Sequence, residues 1–444
     1  MDRVLYHRPL IGDIPLGEFT ELQHRIDDRM RFVLGEYQLT PEYTAAYDLE
    51  RGELFDRVDS LIGDTPLIHV ENVGESTILA KVESQNPTEN HYDRVFPRTI
   101  QKLEADGLIV PGDELLEITS GSGGRAFAWA ARVLGYEARL VVPPELPKAR
   151  LQDMLNFGAT LDVSEPGYMK EASKAYVDQI AKLEGQGYEV TKHKTADYTV
   201  FVGRKEGERS VCLVNHSANE LTVQGFEGIG EEIYQQMPPF EDVDYIVSVM
   251  GNGTSTTALS RAMRQHYPGV KVIGVEDERS PRYFVEKHPG EYERRFGHAP
   301  EFTQHDMFGS SAPDVPLKYG KVEVVDEVRL VNLDERNEAQ DGYNQHRKSF
   351  EQIGNSSAAS LVVARKLASE NPGSNIVIVF YDKAGQYGDQ LTLAPMSKFH
   401  YDRCRPEGVP VHGWMQARMG SLALLPRSIS EAYRARTIVP KSID

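Results

Sequence analysis

Residues 86–94 read Asn-Pro-Thr-Glu-Asn-His-Tyr-Asp-Arg, and this stretch decides how the fold is interpreted. It follows an apolar run at residues 77–82, and it precedes residues whose apolar side chains recur at helical spacing. That order predicts a strand, a turn and the start of a helix. Two side chains of the turn, His91 and Tyr92, can donate or accept a proton, which makes both candidate catalytic residues.

The alternation of strands and helices continues along most of the chain. Short apolar runs alternate with helical patterns from about residue 60 to residue 380. This rhythm predicts an α/β fold in which parallel sheets are covered by helices on both faces.

We expect two domains with a ligand cleft between them. The smaller α/β domain should comprise residues 91–185, and the larger should comprise residues 56–90 plus 186–395. Residues 186–210 are polar and without clear periodicity, which predicts a surface excursion of the larger domain. Residues 1–55 and 396–444 are predicted to be terminal extensions.

The composition limits the class of partner. The 444 residues include 40% hydrophobic and 26% charged residues, which is typical of a soluble globular protein, and the net charge is −18. Such an acidic chain is a poor partner for nucleic acid or for an anionic membrane surface. Its two cysteines, Cys212 and Cys404, make neither a disulfide framework nor a CxxC metal pair, so we expect no metal site and a reducing, cytoplasmic location.

Two glycine-rich loops each connect a predicted strand to a predicted helix. Residues 119–124 read Thr-Ser-Gly-Ser-Gly-Gly, and residues 250–256 read Met-Gly-Asn-Gly-Thr-Ser-Thr. Glycines let the backbone approach a ligand, and the N–H groups at a helix start favour an anion. Both loops therefore predict sites for a phosphate or a carboxylate.

The turn and the two loops, together with Ile-Gly-Asp-Thr-Pro-Leu at residues 62–67, resemble the pyridoxal-phosphate (PLP) enzymes of fold type II. This is the cysteine synthase, cystathionine β-synthase and threonine synthase group, and the resemblance covers about residues 60–395. It implies a tryptophan synthase β-like fold that forms a homodimer and uses PLP. It also implies that a phosphate is held by Gly251, Asn252, Gly253, Thr254 and Ser255, and a substrate carboxylate by Thr119, Ser120, Gly121, Ser122 and Gly123.

Three positions depart from the family pattern. Tyr92 stands where the family carries its Schiff-base lysine, and a phenol cannot form an aldimine. Ser122 stands where an asparagine contacts the PLP phenolic oxygen. Lys383 falls near the hydroxyl that faces the pyridine nitrogen, where it could bind a ligand carboxylate or act as a displaced Schiff-base lysine. The candidate catalytic residues are therefore Tyr92, His91 and Lys383.

Two functions remain open at this point. The first is a cysteine synthase-like enzyme of amino-acid metabolism, which acts on a serine-like, threonine-like or phosphorylated small substrate by β-elimination or replacement, with atypical use of PLP. The second is a PLP-independent enzyme or a ligand-binding pseudoenzyme that uses the same cleft for another phosphorylated metabolite. Both functions imply a small-molecule ligand.

Overall fold

A computed structural model describes residues 51–387, apart from Ser120 and residues 144–145, 165–171, 304, 308, 311–318 and 320. The predicted C-terminal extension and nearly all of the N-terminal one lie outside the described residues, whereas residues 51–59 are helical. None of the described helices is long and apolar enough to cross a membrane.

The described residues form strands and helices in regular alternation. The strands are β1 (Leu67–Val73), β2 (Ser76–Val82), β3 (Glu114–Ile118), β4 (Glu137–Val142), β5 (Thr160–Val163), β6 (Glu189–Lys194), β7 (Thr199–Arg204), β8 (Val211–Leu213), β9 (Tyr245–Val249), β10 (Lys271–Asp277), β11 (Glu327–Val331) and β12 (Asn375–Phe380). The helices are α1 (Phe96–Ala105), α2 (Ser122–Val133), α3 (Lys148–Asn156), α4 (Ala172–Gly185), α5 (Glu220–Gln236), α6 (Thr254–His266), α7 (Arg282–Lys287), α8 (Glu291–Phe296), α9 (Leu333–Asn344) and α10 (Asn355–Glu370).

The first sheet has the strand order β1-β2-β12-β9-β10-β11. Only β1 is antiparallel to its neighbour; the other pairs are parallel. The central strands β9 and β12 read Tyr-Ile-Val-Ser-Val and Asn-Ile-Val-Ile-Val-Phe, and nearly all of their side chains are buried. Such continuous apolar runs are typical of parallel strands that are covered on both faces.

The second sheet has the order β5-β4-β3-β8-β7-β6, in which β5, β4, β3 and β8 are parallel and the hairpin of β6 and β7 is antiparallel. The two mostly parallel sheets confirm the predicted α/β fold. The predicted boundary after residue 185 is wrong, because residues 189–213 add three strands to this second sheet. The edge strand β6 is mostly exposed and polar, so its sequence lacks the apolar alternation that marks a strand.

The turn after β2 is fixed by a buried cluster of charged side chains. Arg94 Nε lies 2.6 Å from Glu83 Oε2, and Arg94 Nη1 lies 2.7 Å from Glu232 Oε1 on α5. Lys81 Nζ completes the cluster, 2.7 Å from Glu232 Oε2. Helix α5 approaches so closely that a Cβ on Gly225 would lie 2.7 Å from the Arg94 carbonyl oxygen. The turn is therefore held by β2 on one side and by α5 on the other.

Candidate active site

A cavity lies where the carboxyl ends of β3, β9 and β12 meet, the usual place for a ligand in an α/β protein. It therefore opens between the two sheets, since β3 belongs to one and β9 and β12 to the other. Its lining comes mainly from the turn, both glycine loops and the segments after β8 and β12, with further residues from α4, α10 and the segment before β11. The lining residues are 91–92, 118–119, 121–123, 176, 216–217, 249, 251–252, 255, 309–310, 356, 381–382 and 387.

Tyr92 lies in this cavity, as the turn predicts. Its ring meets the rings of Phe226 and His216 edge-on, with centroid distances of 5.2 and 5.6 Å. Burial and the nearby Glu117 carboxylate raise the pKa of the Tyr92 hydroxyl, although a hydrogen bond with the Asn252 side chain acts in the opposite direction. The hydroxyl therefore stays protonated at neutral pH and serves as a hydrogen-bonding group.

His91 also lines the cavity, inside a group of aromatic rings. It stacks on Phe226 at a centroid distance of 4.9 Å and lies 4.5 Å from the Tyr92 ring. Burial lowers the pKa of His91 to about 4, so the ring is neutral at pH 7. Its Nδ1 atom is buried and has no hydrogen-bond partner among the residues that the structure describes.

Lys383 does not line the cavity, so its predicted place in the site is wrong. Its ammonium lies 2.8 Å from Glu89 Oε1, where it makes an ion pair. The two preceding residues, Tyr381 and Asp382, line the cavity instead. In the described parts of the chain, no lysine lines this cavity.

The loop that is predicted to bind a carboxylate reaches the cavity, although Ser120 lies outside the described residues. Thr119, Gly121, Ser122 and Gly123 line the cavity, and α2 begins at Ser122. Ser122 Oγ donates a hydrogen bond to Asp382 Oδ2 at 2.9 Å.

Next to this loop, the buried side chains of Asp382 and Arg150 form an ion pair. The Asp382 carboxylate accepts hydrogen bonds from the Tyr387 hydroxyl at 2.9 Å and from Arg150 Nη2 at 3.1 Å. Arg150 also lies over the Tyr387 ring, with its guanidinium carbon 4.4 Å from the ring centroid. Burial raises the pKa of Asp382, and the Arg150 guanidinium acts against that shift.

The predicted phosphate loop leads from β9 into α6. Gly251, Asn252 and Ser255 line the cavity, whereas Gly253 and Thr254, which were predicted to bind the same ligand, do not. Gly253 has φ +81°, a left-handed conformation that suits glycine. A Cβ on Gly251 would overlap the Gly309 carbonyl oxygen.

One donor of this loop is already used within the protein. Asn252 Oδ1 accepts the Thr254 N–H at 3.1 Å and the Thr254 hydroxyl at 2.7 Å. The N–H of Ser255, in the first turn of α6, has no acceptor among the described residues. The helix start can therefore still donate to an anion.

Sequence reasoning missed a second polar group on the cavity wall. Glu117, at the end of β3, is fully buried and accepts hydrogen bonds from the Tyr176 hydroxyl and the His216 backbone N–H, each at 2.9 Å. Tyr176, His216 and Ser217 line the cavity. A signal was present, because a glutamate inside the apolar run Leu-Leu-Glu-Ile at residues 115–118 needs polar partners when it is buried.

Glu89 forms ion pairs with Lys383 and with Arg125 on α2. These ion pairs should make the stability of the fold depend on pH in the acid range. Burial alone would raise the pKa of Glu89, but Lys383 and Arg125 outweigh it and lower that pKa from 4.5 to about 2. A carboxyl whose pKa is lowered by folding stabilises the fold above its unfolded pKa, and this contribution is lost as the pH falls from 4.5 to about 2. The melting temperature of Glu89→Gln should therefore fall less steeply over this pH range than that of the unmodified protein.

The control for this prediction is Glu75→Gln, at the exposed tip of the hairpin between β1 and β2. The Glu89 side chain is 34% exposed, so water screens its ion pairs and the difference in slope should be modest. Equal slopes for Glu89→Gln and Glu75→Gln in thermal unfolding would contradict the prediction.

Comparison with known proteins places this cavity in a family. A family model described as pyridoxal-phosphate dependent enzyme matches residues 58–382. The chain is 28% identical over 230 residues to a cysteine synthase of Staphylococcus aureus, which covers 51% of this chain and 66% of the relative. It is 25% identical over 352 residues to a cystathionine beta-synthase of Rattus norvegicus, which covers 77% of this chain and 54% of the relative. The chain thus spans less than two thirds of the length of either relative.

Solved structures show the same fold. A hydrogen sulfide-producing enzyme from Fusobacterium nucleatum superposes with a TM-score of 0.58 at 22% identity, over 75% of this chain and 98% of that one. An O-ureido-L-serine synthase gives a TM-score of 0.58 at 19% identity, over 82% and 98% of the two chains. The family match extends from before β1 to just after β12 and includes the turn and both loops. The chain therefore belongs to the family of pyridoxal-phosphate dependent enzymes of fold type II.

Proposed function

We propose that this protein is a cysteine synthase-like enzyme of amino-acid metabolism that holds a phosphate-bearing ligand without a covalent bond to a lysine. The observation that carries the proposal is the lining of the cavity. Tyr92 stands where the resemblance expects the Schiff-base lysine, and no described lysine replaces it there. The anion-binding loop at the start of α6 is nevertheless retained.

The fit of PLP to these residues differs between its two ends. The phosphate end suits the loop at residues 251–255, where glycine allows close approach and the Ser255 N–H faces no acceptor in the described chain. The aldehyde end does not fit, because a phenol supplies no amine for an imine. PLP, when bound, supplies an electron sink for a carbanion.

The remaining groups suit an amino-acid-like substrate. The loop at residues 119–123 would bind a carboxylate at the start of α2, and the protonated Tyr92 hydroxyl would donate to the ligand. The relatives named cysteine synthase and cystathionine beta-synthase support a serine-like or threonine-like substrate and chemistry of the elimination or replacement type. A homodimer in the cytoplasm is part of the same proposal.

One observation favours a second candidate function. The imidazoles of His91 and His216 and the buried carboxylate of Asp382 line the cavity, but no amine from the described residues does. Such a set of groups suits acid–base catalysis rather than the formation of a Schiff base. A PLP-independent enzyme, or a ligand-binding pseudoenzyme, could use the same loop for another phosphorylated metabolite. The two candidates share the phosphate and differ in the rest of the ligand.

The test compares three added compounds by thermal unfolding: PLP, pyridoxal, which lacks the phosphate, and O-phospho-L-serine. A ligand present at ~100 times its Kd, and bound only by the folded chain, adds about 2.7 kcal/mol of stability. We expect PLP to raise the melting temperature and pyridoxal to have little effect. Stabilisation by O-phospho-L-serine but not by PLP would support the second candidate, and no stabilisation by either phosphate compound would contradict both.

Gly251→Ala should weaken binding of the phosphate compound at least about tenfold, which corresponds to about 1.4 kcal/mol. The added methyl group would overlap the Gly309 carbonyl oxygen and force the loop to move. Gly269→Ala is the matched control, since a Cβ added at Gly269 would meet nothing within 4 Å. Binding is measured by equilibrium dialysis, and equal affinities of the two variants would exclude the loop as the phosphate site.

A further inference from the structure

Four polar side chains form a continuous chain along one wall of the cavity. His216 Nδ1 lies 3.1 Å from Glu117 Oε2, and His216 Nε2 lies 3.4 Å from Ser217 Oγ. Asn252 Nδ2 donates to Ser217 Oγ at 3.1 Å. The chain thus joins the end of β3 to the loop before α6, and three of its members line the cavity.

Glu117 has an unusual environment for a carboxylate. Its side chain is fully buried, and its hydrogen-bond donors are the neutral Tyr176 hydroxyl and two backbone N–H groups, those of Ile118 and His216. Within the described chain, His216 is its one ion-pair partner. A buried carboxylate without an arginine or lysine beside it stabilises any positive charge that appears on the neighbouring ring.

The positions of these atoms determine where the imidazole proton belongs. Nδ1 faces the carboxylate, so Nδ1 carries the proton in the neutral ring and Nε2 carries the lone pair. Nδ1 lies 3.1 Å from Glu117 Oε2, but the angle does not complete a hydrogen bond, and the same oxygen also accepts the His216 backbone N–H. On the other side, Ser217 Oγ accepts from Asn252, which leaves the Ser217 proton free to point at Nε2.

The three residues that the sequence predicted to be catalytic are not suited to accept this proton. Burial lowers the pKa of His91 to about 4, so its conjugate acid is too strong to form readily at neutral pH. The Tyr92 hydroxyl has a raised pKa and keeps its proton. Lys383 is paired with Glu89 and does not line the cavity.

We propose that His216 is the residue that takes a proton from the bound ligand and returns it, with Glu117 behind it as a positioning residue. The inference rests on the proposed function, because it requires a substrate in this cavity. His216 Nε2 accepts the proton from a carbon or hydroxyl of the ligand, and the bonding electron pair stays on the ligand. Where Ser217 lies between them, its hydroxyl gives its own proton to Nε2 as it receives that of the ligand.

The positive charge that forms on His216 is balanced by the neighbouring Glu117 carboxylate. The ring becomes positive when it takes the proton, and the Glu117 carboxylate lies 3.1 Å away to compensate. Tyr176 holds that carboxylate in place through its hydroxyl. The same proton then leaves Nε2 for the departing group, and His216 returns to its neutral form.

The first test follows exchange of the Cα proton of L-serine in D2O, with PLP added, by proton NMR. The unmodified protein should exchange the proton faster than PLP alone. His216→Gln should slow the exchange by about 10²–10⁴-fold, the usual contribution of a general acid–base residue. His266→Gln is the matched control, because His266 also pairs with a glutamate, Glu231 at 2.8 Å, but lies away from the cavity. This variant should exchange the serine proton as fast as the unmodified protein.

Thermal stabilisation by PLP separates this inference from the proposed function. If His216→Gln keeps the stabilisation and loses the exchange, both proposals stand. If the stabilisation and the exchange both persist in His216→Gln, the inference fails and the proposed function does not. No exchange by the unmodified protein, despite stabilisation by PLP, would also overturn the inference.

The second test needs neither ligand nor activity. Nitrogen-15 histidine NMR of the unmodified protein should show His216 as the Nδ1–H tautomer, and Glu117→Gln should shift its signals. Tyr176→Phe, which leaves the carboxylate in place, should shift them less. An Nε2–H tautomer, or His216 signals that do not respond to Glu117→Gln, would show that the pair does not work as proposed.

Discussion

Replacing Arg94 by methionine is expected to lower the free energy of unfolding by about 3–5 kcal/mol, the usual cost of removing one partner from a buried ion pair. Arg94 is the centre of the charged cluster beneath the turn and contacts both Glu83 and Glu232. Glu83 is fully buried, so its carboxylate would lose its guanidinium partner without gaining water. Methionine fills much of the same space, which keeps the loss of charge separate from the formation of a cavity.

The matched control for this prediction is Arg294→Met. Arg294 pairs with Glu291 at 2.7 Å, but its side chain is 75% exposed, so the change should cost at most about 1 kcal/mol. Urea unfolding of both variants, followed by circular dichroism, gives the two free energies. An exposed ion pair contributes at most about 1 kcal/mol. If Arg94→Met lowers the free energy of unfolding by no more than that, the cluster does not hold the turn.

The second large effect is expected from Tyr92→Lys. The new amine would enter the cavity near the loop at residues 251–255, where burial lowers the pKa of a lysine and leaves more of it as a neutral nucleophile. On addition of PLP this variant should gain an imine absorbance band in the near-ultraviolet to visible range, and the unmodified protein should show no such band. Borohydride should then fix the cofactor to the peptide that contains residue 92, as read by mass spectrometry.

Tyr234→Lys is the control for a surface lysine, because Tyr234 is 48% exposed and lies outside the cavity. It should give no stable band and no labelled peptide at that position. If Tyr92→Lys also remains without a band while O-phospho-L-serine still stabilises it, the cavity has diverged to a ligand other than PLP.

The fold was largely predictable from local patterns. Strands such as β9 and β12 are continuous apolar runs, and each of the two glycine loops follows such a run and precedes a helix. Strand β6 was missed because it lies at the edge of its sheet, where exposed polar side chains carry no periodic signal. Its place in the sheet depends on pairing with β7, which the sequence of β6 does not encode.

The site was only partly predictable. The turn and the two glycine loops were placed correctly because each directly follows the carboxyl end of a strand that could be recognised in the sequence. Lys383 was misplaced because its ion pair with Glu89, 294 positions away, is not visible in the local sequence. The Glu117–His216 pair joins residues that are 99 positions apart, so only the packing of β3 beside β8 brings them together.

The strand order also bears on how the chain folds as it leaves the ribosome. The second sheet uses strands that all lie between residues 114 and 213, so it can be complete early in synthesis. The first sheet cannot, because β12 is inserted between β2 and β9 and is the last of these strands to be made. Until residue 380 has emerged, β1 and β2 remain separated from β9, β10 and β11. A chain that ends before Asn375 would keep every strand of one sheet and lack the strand that joins the two halves of the other.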